Sequence, residues 1–238
     1  IVLLNVSGTL INNMPISIGS GTKNGIGILN GFTSTSTSTT NYGDITINST
    51  PDASTFYSSI GLDNNIGTLR NFGNITANSN SSVALYGKKG NLISNTGNIT
   101  VNGNNSEGIF STASGTTLAN RATISIESGN ITLNGERGAL VYLYGGFASL
   151  GSAGNTVTGT VNGGNSFLFY STPDFNNNVG TVTINGNVNT QVRNGAIGFY
   201  YAGTSTANPP VDLSAYLAGL ISINSGTLNV DIDANSYL

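Results

Sequence analysis

Carboxylates are the residues of this sequence that could perform chemistry. The chain of 238 residues has no histidine and no cysteine, so it cannot form a Ser-His or a Cys-His nucleophile pair. Glycan-cleaving enzymes need only two carboxyl groups, about 5 to 9 Å apart. The candidates for such a pair are Asp52, Asp63, Glu107, Glu127, Glu136 and Asp174. A glycan-degrading β-helix enzyme is therefore one function that the sequence leaves open.

Glu107 and Glu136 stand out among these acids, because each lies just after a copy of a repeated motif. When Gly108 is aligned with Gly138, Glu107 stacks on Arg137. We therefore expect a surface ion pair of solvated charges, which contributes little, and no catalytic residues. Ten acids in the whole chain cannot supply a carboxylate-rich calcium ladder, so we expect no metal site and no cofactor.

A repeated element must position these acids. Its pattern is GNITVN at residues 97–102, and near copies begin at Gly43, Gly73 and Gly129. Apolar, mostly β-branched residues alternate with threonine, a period of two that predicts a strand with one apolar face. Glycine before the strand and asparagine after it are typical of turns. The motif therefore predicts one short strand in each repeat.

A single strand of this kind cannot bury its apolar face. If each turn of the chain lays its strand on the previous one, about 4.8 Å away, the isoleucines stack into an interior column that neighbouring coils stabilise. Two further strand-like elements separate successive copies. The predicted fold is all-β, a parallel β-helix (β-solenoid) with about three short strands per coil, over residues 1–238 as one unit.

A second column recurs thirteen residues after the motif glycine. It contains Tyr86, Phe110 and Tyr142. An aliphatic residue precedes each ring: Leu85, Ile109 and Val141. Since a shift of one residue exchanges the two faces of a strand, the sequence leaves open which column points inward. Most other aromatic residues are expected in the core, including Phe167, Phe169 and Phe199.

Threonines and asparagines of the motif form two more columns. They are Thr46, Thr76, Thr100 and Thr132, and Asn48, Asn78, Asn102 and Asn134. An ice-binding surface needs regular spacing, but the steps from Gly73 to Gly97 and from Gly97 to Gly129 are 24 and 32 residues. We therefore expect a hydroxyl ladder on a sheet face and an asparagine ladder at a corner.

Four segments interrupt the rhythm and are predicted to be loop excursions: 33–40, 49–65, 171–178 and 202–219. Insertions in repeat proteins map to loops, and loops on a rigid scaffold often carry function. Exposed rings there would offer large contact areas at low entropic cost. The binding candidates are Asp52, Phe56, Tyr57, Asp174, Phe175, Asp212 and Tyr216.

Composition excludes several classes of partner. The formal net charge is -3 and only 7% of residues are charged, with no basic cluster to bind nucleic acid. No apolar run approaches the roughly 20 residues that span a bilayer. The first residues lack a signal-peptide pattern, so we expect a segment of a longer protein that is not itself inserted in a membrane.

Residues 97–110, GNITVNGNNSEGIF, followed by Leu118-Ala119-Asn120, resemble the repeats of large type V autotransporter passengers. The asparagine-rich, cysteine-free composition is similar to that of fusobacterial surface adhesins. The resemblance implies a right-handed parallel β-helix at the bacterial cell surface, anchored to the outer membrane through a C-terminal translocator. It also implies attachment to host cells or to other bacteria.

Together these features predict a segment of a surface adhesin, in which a β-helical stalk carries loops that bind a host protein receptor or a glycan. A purely structural spacer within such an adhesin is one alternative. The glycan-degrading enzyme is the other, and it requires two carboxyl groups in one groove.

Overall fold

The computed structural model describes residues 1–32, 36–51, 57–202 and 220–238. Its strands form three sheets of eight parallel strands each, and the chain visits the three sheets in turn. This is a parallel β-helix with three strands per coil, as the repeat predicts. None of the helices in the described ranges has the length and hydropathy of a membrane span.

Strands are numbered β1 to β24 along the chain. The first sheet contains β1 Leu3–Asn5, β4 Gly25–Asn30, β7 Ser59–Asn64, β10 Ser82–Gly87, β13 Glu107–Thr112, β16 Ala139–Tyr144, β19 Phe167–Thr172 and β22 Ile197–Tyr201. The second contains β2 Thr9–Asn12, β5 Ser38–Asn41, β8 Thr68–Asn71, β11 Gly90–Ser94, β14 Ala122–Ile126, β17 Phe147–Leu150, β20 Val182–Ile184 and β23 Ile221–Ile223. The third contains β3 Ile16–Ile18, β6 Ile45–Ile47, β9 Ile75–Ala77, β12 Ile99–Val101, β15 Gly129–Leu133, β18 Thr156–Val161, β21 Asn187–Val192 and β24 Thr227–Ile232. A short 3-10 helix covers Leu118–Asn120.

The interior column of isoleucines is confirmed. Ile99 pairs in register with Ile75 on one side and with Ile131 on the other, and all three side chains are buried in the core. The threonine column follows the same register, since Thr100 pairs with Thr76 and Thr132. Coil length does not disturb this register, because the extra residues lie in the connections between strands.

In the first sheet, the aliphatic column faces inward and the aromatic column faces outward. Leu85, Ile109 and Val141 belong to the core. The aromatic column lies on the opposite, outer face, where its rings contact one another. Phe169 is in the core as expected, but Phe167 is not: it is half-buried and contacts the rings of Tyr170 and Tyr200.

Three predicted excursions are shorter than the sequence suggests. β5 includes residues 38–40 of the first, β7 includes residues 59–64 of the second, and β19 includes residues 171 and 172 of the third. All three strands pair with neighbouring coils, and Leu62 in β7 is fully buried. Residues 203–219 of the fourth excursion lie outside the described residues, as do residues 33–35 of the first and 52–56 of the second.

Asparagine ladders hold several corners of the solenoid, including a buried one of Asn5, Asn30 and Asn64 at the end of the first sheet's strands. The expected exposed ladder is confirmed, with amide bonds from Asn78 to Asn48, from Asn102 to Asn78 and from Asn134 to Asn102. A second buried ladder, which the sequence analysis missed, lies between the second and third sheets. Its central member, Asn41, accepts a bond from Asn12 and donates to Asn71, at 2.7 and 2.8 Å.

The Asn41 ladder and the exposed ladder should differ in energetic weight. Asn41 is fully buried and also donates to the Gly43 carbonyl, so Asn41→Ala leaves several buried polar groups unpaired. We expect a loss of about 2 kcal/mol in the free energy of unfolding. Asn102→Ala in the exposed ladder should cost less than about 0.5 kcal/mol, because water replaces the lost bonds. Chemical denaturation of both variants measures the difference, and equal losses would contradict it.

Candidate functional site

The outer face of the first sheet carries a continuous line of rings, here called the aromatic stripe. It consists of Tyr86, Phe110, Tyr142, Tyr170 and Tyr200, which occupy one register position on five successive strands. Successive ring centroids lie 5.3, 4.7, 4.8 and 5.2 Å apart. Because the strands are in register, each coil adds one ring, and the stripe follows the long axis of the solenoid.

A departure from strict alternation, which recurs in the first sheet at Ala84-Leu85, Leu140-Val141 and Leu168-Phe169, places an acid beside this stripe. Gly108 and Ile109 both face the interior: Ile109 is fully buried in the core, and a Cβ on Gly108 would lie 3.2 Å from Cγ2 of the core residue Ile131. With two consecutive residues turned inward, Glu107 and Phe110 reach the same outer face although they are three positions apart. Simple alternation would have put them on opposite faces.

The first of two grooves, the Glu107 groove, lies along the C-terminal half of the stripe, beside Tyr142, Tyr170 and Tyr200, and has a volume of about 430 Å³. Its lining comprises Glu107, Arg137, Gly138, Ala139, Tyr142, Phe167, Tyr170, Ile197 and Tyr200. Glu107 is only 8% exposed. Within the part of the chain that the structure describes, its Oε2 atom has no hydrogen-bond partner.

Burial raises the pKa of Glu107 well above its ordinary value, and a weaker interaction with the Tyr57 hydroxyl acts in the opposite direction. The predicted surface ion pair with Arg137 is therefore wrong. Glu107 pairs in register with Ala139, while Arg137 is exposed in a turn with a left-handed φ of 57°. The true register differs from the alignment of Gly108 with Gly138 by two residues.

The second groove, the Asp63 groove, lies along the N-terminal half of the stripe, beside Tyr86 and Phe110, and has a volume of about 520 Å³. Its lining comprises Tyr57, Ile60, Asp63, Asn65, Tyr86, Lys88, Phe110, Thr112 and Tyr144. Asp63 is buried, and its Oδ1 atom has no hydrogen-bond partner among the described residues. Burial raises the pKa of Asp63 to about 7, although the positive charge of Lys88 opposes the shift.

Tyr57 is a predicted binding residue that the structure brings to this face. Its ring lies against Phe110, with centroids 5.2 Å apart, and it lines the Asp63 groove while interacting with Glu107 of the other groove. Burial, reinforced by the charge of Glu107, raises the pKa of Tyr57. Tyr57 therefore connects the two grooves. The predicted residues Asp52, Phe56, Asp212 and Tyr216 lie outside the described residues.

Phe175 and Asp174 follow β19 and have different roles. Phe175 is 95% exposed, and its ring meets that of Tyr144 edge to face at 5.7 Å, so it stands at the rim of the Asp63 groove. Asp174 is buried, and its carboxylate accepts bonds from the backbone and side chain of Asn178 and from the backbone of Asn176. Its oxygens are used within the loop, so Asp174 positions Phe175 and leaves no oxygen prepared for a ligand.

Electrostatics around Asp174 support this structural role. Burial acts to raise its pKa, but the bonds from Asn178 and Asn176 outweigh burial and hold the pKa below its ordinary value. Arg121 attracts the same carboxylate, donates to the Gly145 and Val179 carbonyls, and lies over the Phe147 ring. Arg121 therefore links the loop that follows β19 to the neighbouring coil.

Among the described residues, no second acid lines the Glu107 groove. Glu136 is exposed at a corner, and Glu127 accepts a bond from Asn95 on the second sheet's side. Among the described residues, no group of three His, Cys, Asp or Glu side chains could hold a metal ion. Comparisons of the chain with protein-family models, curated proteins and solved structures found no match.

Proposed function

We propose that this chain is an adhesive segment of a bacterial surface protein, in which the outer face of the first sheet makes the contact. The observation that carries this proposal is the continuous aromatic stripe with two grooves and the fully projecting ring of Phe175. Phe110 within the stripe is buried, whereas Tyr200 and Phe175 are exposed, and exposed rings rimmed by polar groups are typical of interaction sites. The proposal includes attachment to host cells or other bacteria and an outer-membrane anchor elsewhere in the parent protein.

The β-helix suits this role because it holds the contact residues rigidly. Four rings of the stripe lie on strands that pair with a neighbour on both sides, and Tyr200 lies on β22, the last strand of the sheet. A preorganised surface loses little conformational entropy when it binds. The contact therefore lies on the sheet face as well as on the loops to which the sequence assigns it.

A glycan-degrading enzyme receives less support from the geometry. Burial that raises the pKa of Glu107 would suit a general acid, but hydrolysis requires a second carboxyl group about 5 to 9 Å away. Glu107 is the one acid among the described residues that line its groove, and Asp63 lines the other groove, beside Tyr86 and Phe110.

Attachment of coated beads tests the proposal. Beads that carry the chain should attach to cultured epithelial cells, or to cells of other bacterial species, more than beads coated with an unrelated cysteine-free protein. Free soluble chain should compete for this attachment. Beads that attach to neither kind of cell above the control would contradict the proposal and favour the structural-spacer alternative.

A further inference from the structure

We propose that the two grooves form one track for a neutral, extended glycan chain that lies along the aromatic stripe, with Glu107 and Asp63 as the hydrogen-bonding groups of its floor. This inference rests on the proposed adhesive function and names the ligand class of the same face. Neither carboxyl was assigned a binding role by the sequence.

The two grooves repeat one design. Each has a buried carboxyl at its floor with one oxygen that lacks a partner among the described residues. A buried polar atom without a partner is destabilising, so a ligand group that supplies the missing hydrogen bond binds favourably there. Sugar hydroxyls both donate and accept hydrogen bonds. They can therefore pair with a carboxyl in either protonation state.

The charges at the rims decide against charged ligands. Arg137 stands at the rim of the Glu107 groove and Lys88 at the rim of the Asp63 groove, where they repel a cationic ligand. The net charge of -3, and either floor carboxyl whenever it is ionised, disfavour an anionic one. A neutral ligand rich in hydroxyl groups meets neither penalty.

Ring geometry adds a second constraint. Tyr170 and Tyr200 are stacked with an interplanar angle of 6°, so these two rings cover one another, whereas the other neighbouring pairs of the stripe are tilted or edge to face. Tyr200, at the end of the stripe, is 45% exposed, and Phe175 is almost fully exposed. Tyr200 retains an open face at the β22 end of the track, and Phe175 retains one at the rim of the Asp63 groove beside Tyr144. The apolar face of a sugar ring can stack on either ring.

The length of the track calls for a chain of several sugars. The grooves together extend from β7 to β22, which are separated by five inter-strand steps in the first sheet. At about 4.8 Å per step the track is roughly 24 Å long. An extended oligosaccharide parallel to the solenoid axis covers this distance, whereas a monosaccharide fills one groove only.

Glycans released chemically from the cells to which the beads attach provide the probe. After separation by ion exchange, the neutral fraction should inhibit bead attachment and the anionic fraction should not. If neither fraction inhibits, or only the anionic one does, while soluble chain still competes, the inference is overturned and the adhesive function stands. If the beads never attach, the adhesive function itself fails.

Substitutions at Glu107 connect this ligand to the groove. Retention of the fluorescently labelled neutral fraction on immobilised chain gives an apparent Kd. Glu107→Leu fills the same space without a polar floor, and we expect Kd to rise about tenfold or more. Glu107→Gln keeps a donor and an acceptor, so Kd should stay within about threefold. Glu136→Gln, at an exposed corner outside both grooves, is the matched control and should leave Kd unchanged.

Stability measurements separate binding from folding in this series. Glu107→Leu removes a buried carboxyl with an unpartnered oxygen and should unfold at the same temperature as the parent chain or higher. A higher Kd in a Glu107→Leu variant that is at least as stable as the parent chain supports the inference. A Glu107→Leu variant that retains the neutral fraction as well as the parent chain would overturn it.

Discussion

Replacing Gly103 with alanine is expected to lower the free energy of unfolding by at least about 3 kcal/mol. A Cβ at this position would lie 1.8 Å from the Ser79 carbonyl oxygen of the adjacent coil. The obstacle is backbone, so no side-chain rotation relieves it. The two coils must separate, which strains the backbone bonds from Asn102 and Gly103 to the Ala77 carbonyl.

The contact at Gly103 recurs along the solenoid. A Cβ on Gly135 would lie 1.9 Å from the Gly103 carbonyl oxygen, and one on Gly163 would lie 1.8 Å from that of Gly135. These glycines form a column because the coils touch backbone to backbone at this corner. Alanine at Gly135 should therefore cost about as much as alanine at Gly103.

Gly19→Ala is the matched control for this prediction. Gly19 has an ordinary φ and no atom within 4 Å of a Cβ built on it, so the change should stay within about 0.5 kcal/mol. Urea denaturation followed by circular dichroism measures both variants. Equal stabilities for Gly103→Ala and the parent chain would mean that the coils are not in contact at this corner.

The free energy of unfolding is expected to fall by about 3 kcal/mol between pH 5 and pH 8 through Asp63 alone. Burial raises the pKa of Asp63 in the folded chain from 3.8 to about 7, so the folded state retains a proton that the unfolded state has lost. Stability is therefore highest below the unfolded pKa and decreases as the pH rises toward the folded value. Glu107, whose pKa is also raised by burial, acts in the same direction.

Two other described groups with shifted pKa values do not reverse this slope. Asp174 has a lowered pKa in the folded chain because the bonds from Asn178 and Asn176 outweigh burial, so its contribution changes only below about pH 4. Tyr86, next to Asp63, has its pKa raised to about 12, mainly by burial. Neither group titrates between pH 5 and pH 8.

Amide substitutions isolate the two carboxyls. Asp63→Asn and Glu107→Gln cannot ionise, so the double variant should lose most of the decrease between pH 5 and pH 8. Thermal unfolding at several pH values measures the slopes of the parent chain and the variant. A parent chain whose stability is constant or rises over this range would show that these carboxyls are hydrated in solution.

The fold could be predicted because its signal repeats. Each GNITVN copy supplies the same strand, turn and buried isoleucine, so Ile75, Ile99 and Ile131 could be placed on one column from their spacing alone. Stacking of neighbouring coils is the only way for such short strands to bury their apolar faces. The exposed asparagine ladder follows from the same register.

The site was not predicted because it depends on a departure from strict alternation within each strand of the first sheet. Two consecutive inward residues, Gly108 and Ile109, place Glu107 beside Phe110, and a pattern of strict alternation does not reveal this. The available signal was the pair of adjacent apolar residues at the same place in other coils, Ala84-Leu85 and Leu140-Val141, which are all in the core. Aligning Gly108 with Gly138 concealed it by assigning Glu107 to a surface ion pair.

The loop residues show a similar division. Phe175 was predicted as a contact residue from its position in an excursion, and the structure leaves its ring exposed at a groove rim. Its neighbour Asp174 received the same prediction, but its carboxylate is used by Asn176 and Asn178. The sequence does not distinguish an acid that caps its own loop from one that awaits a ligand.

The claim that the aromatic face makes the contact is tested most directly by the attachment of beads coated with two matched double variants. Phe175→Ser with Tyr200→Ser removes the open rings of the aromatic face. Phe32→Ser with Tyr42→Ser removes rings that are 68% and 53% exposed and line neither groove. We predict that the first pair reduces attachment about tenfold and the second leaves it unchanged. Equal attachment by both pairs, or a loss confined to the second, would contradict the assignment of contact to this face.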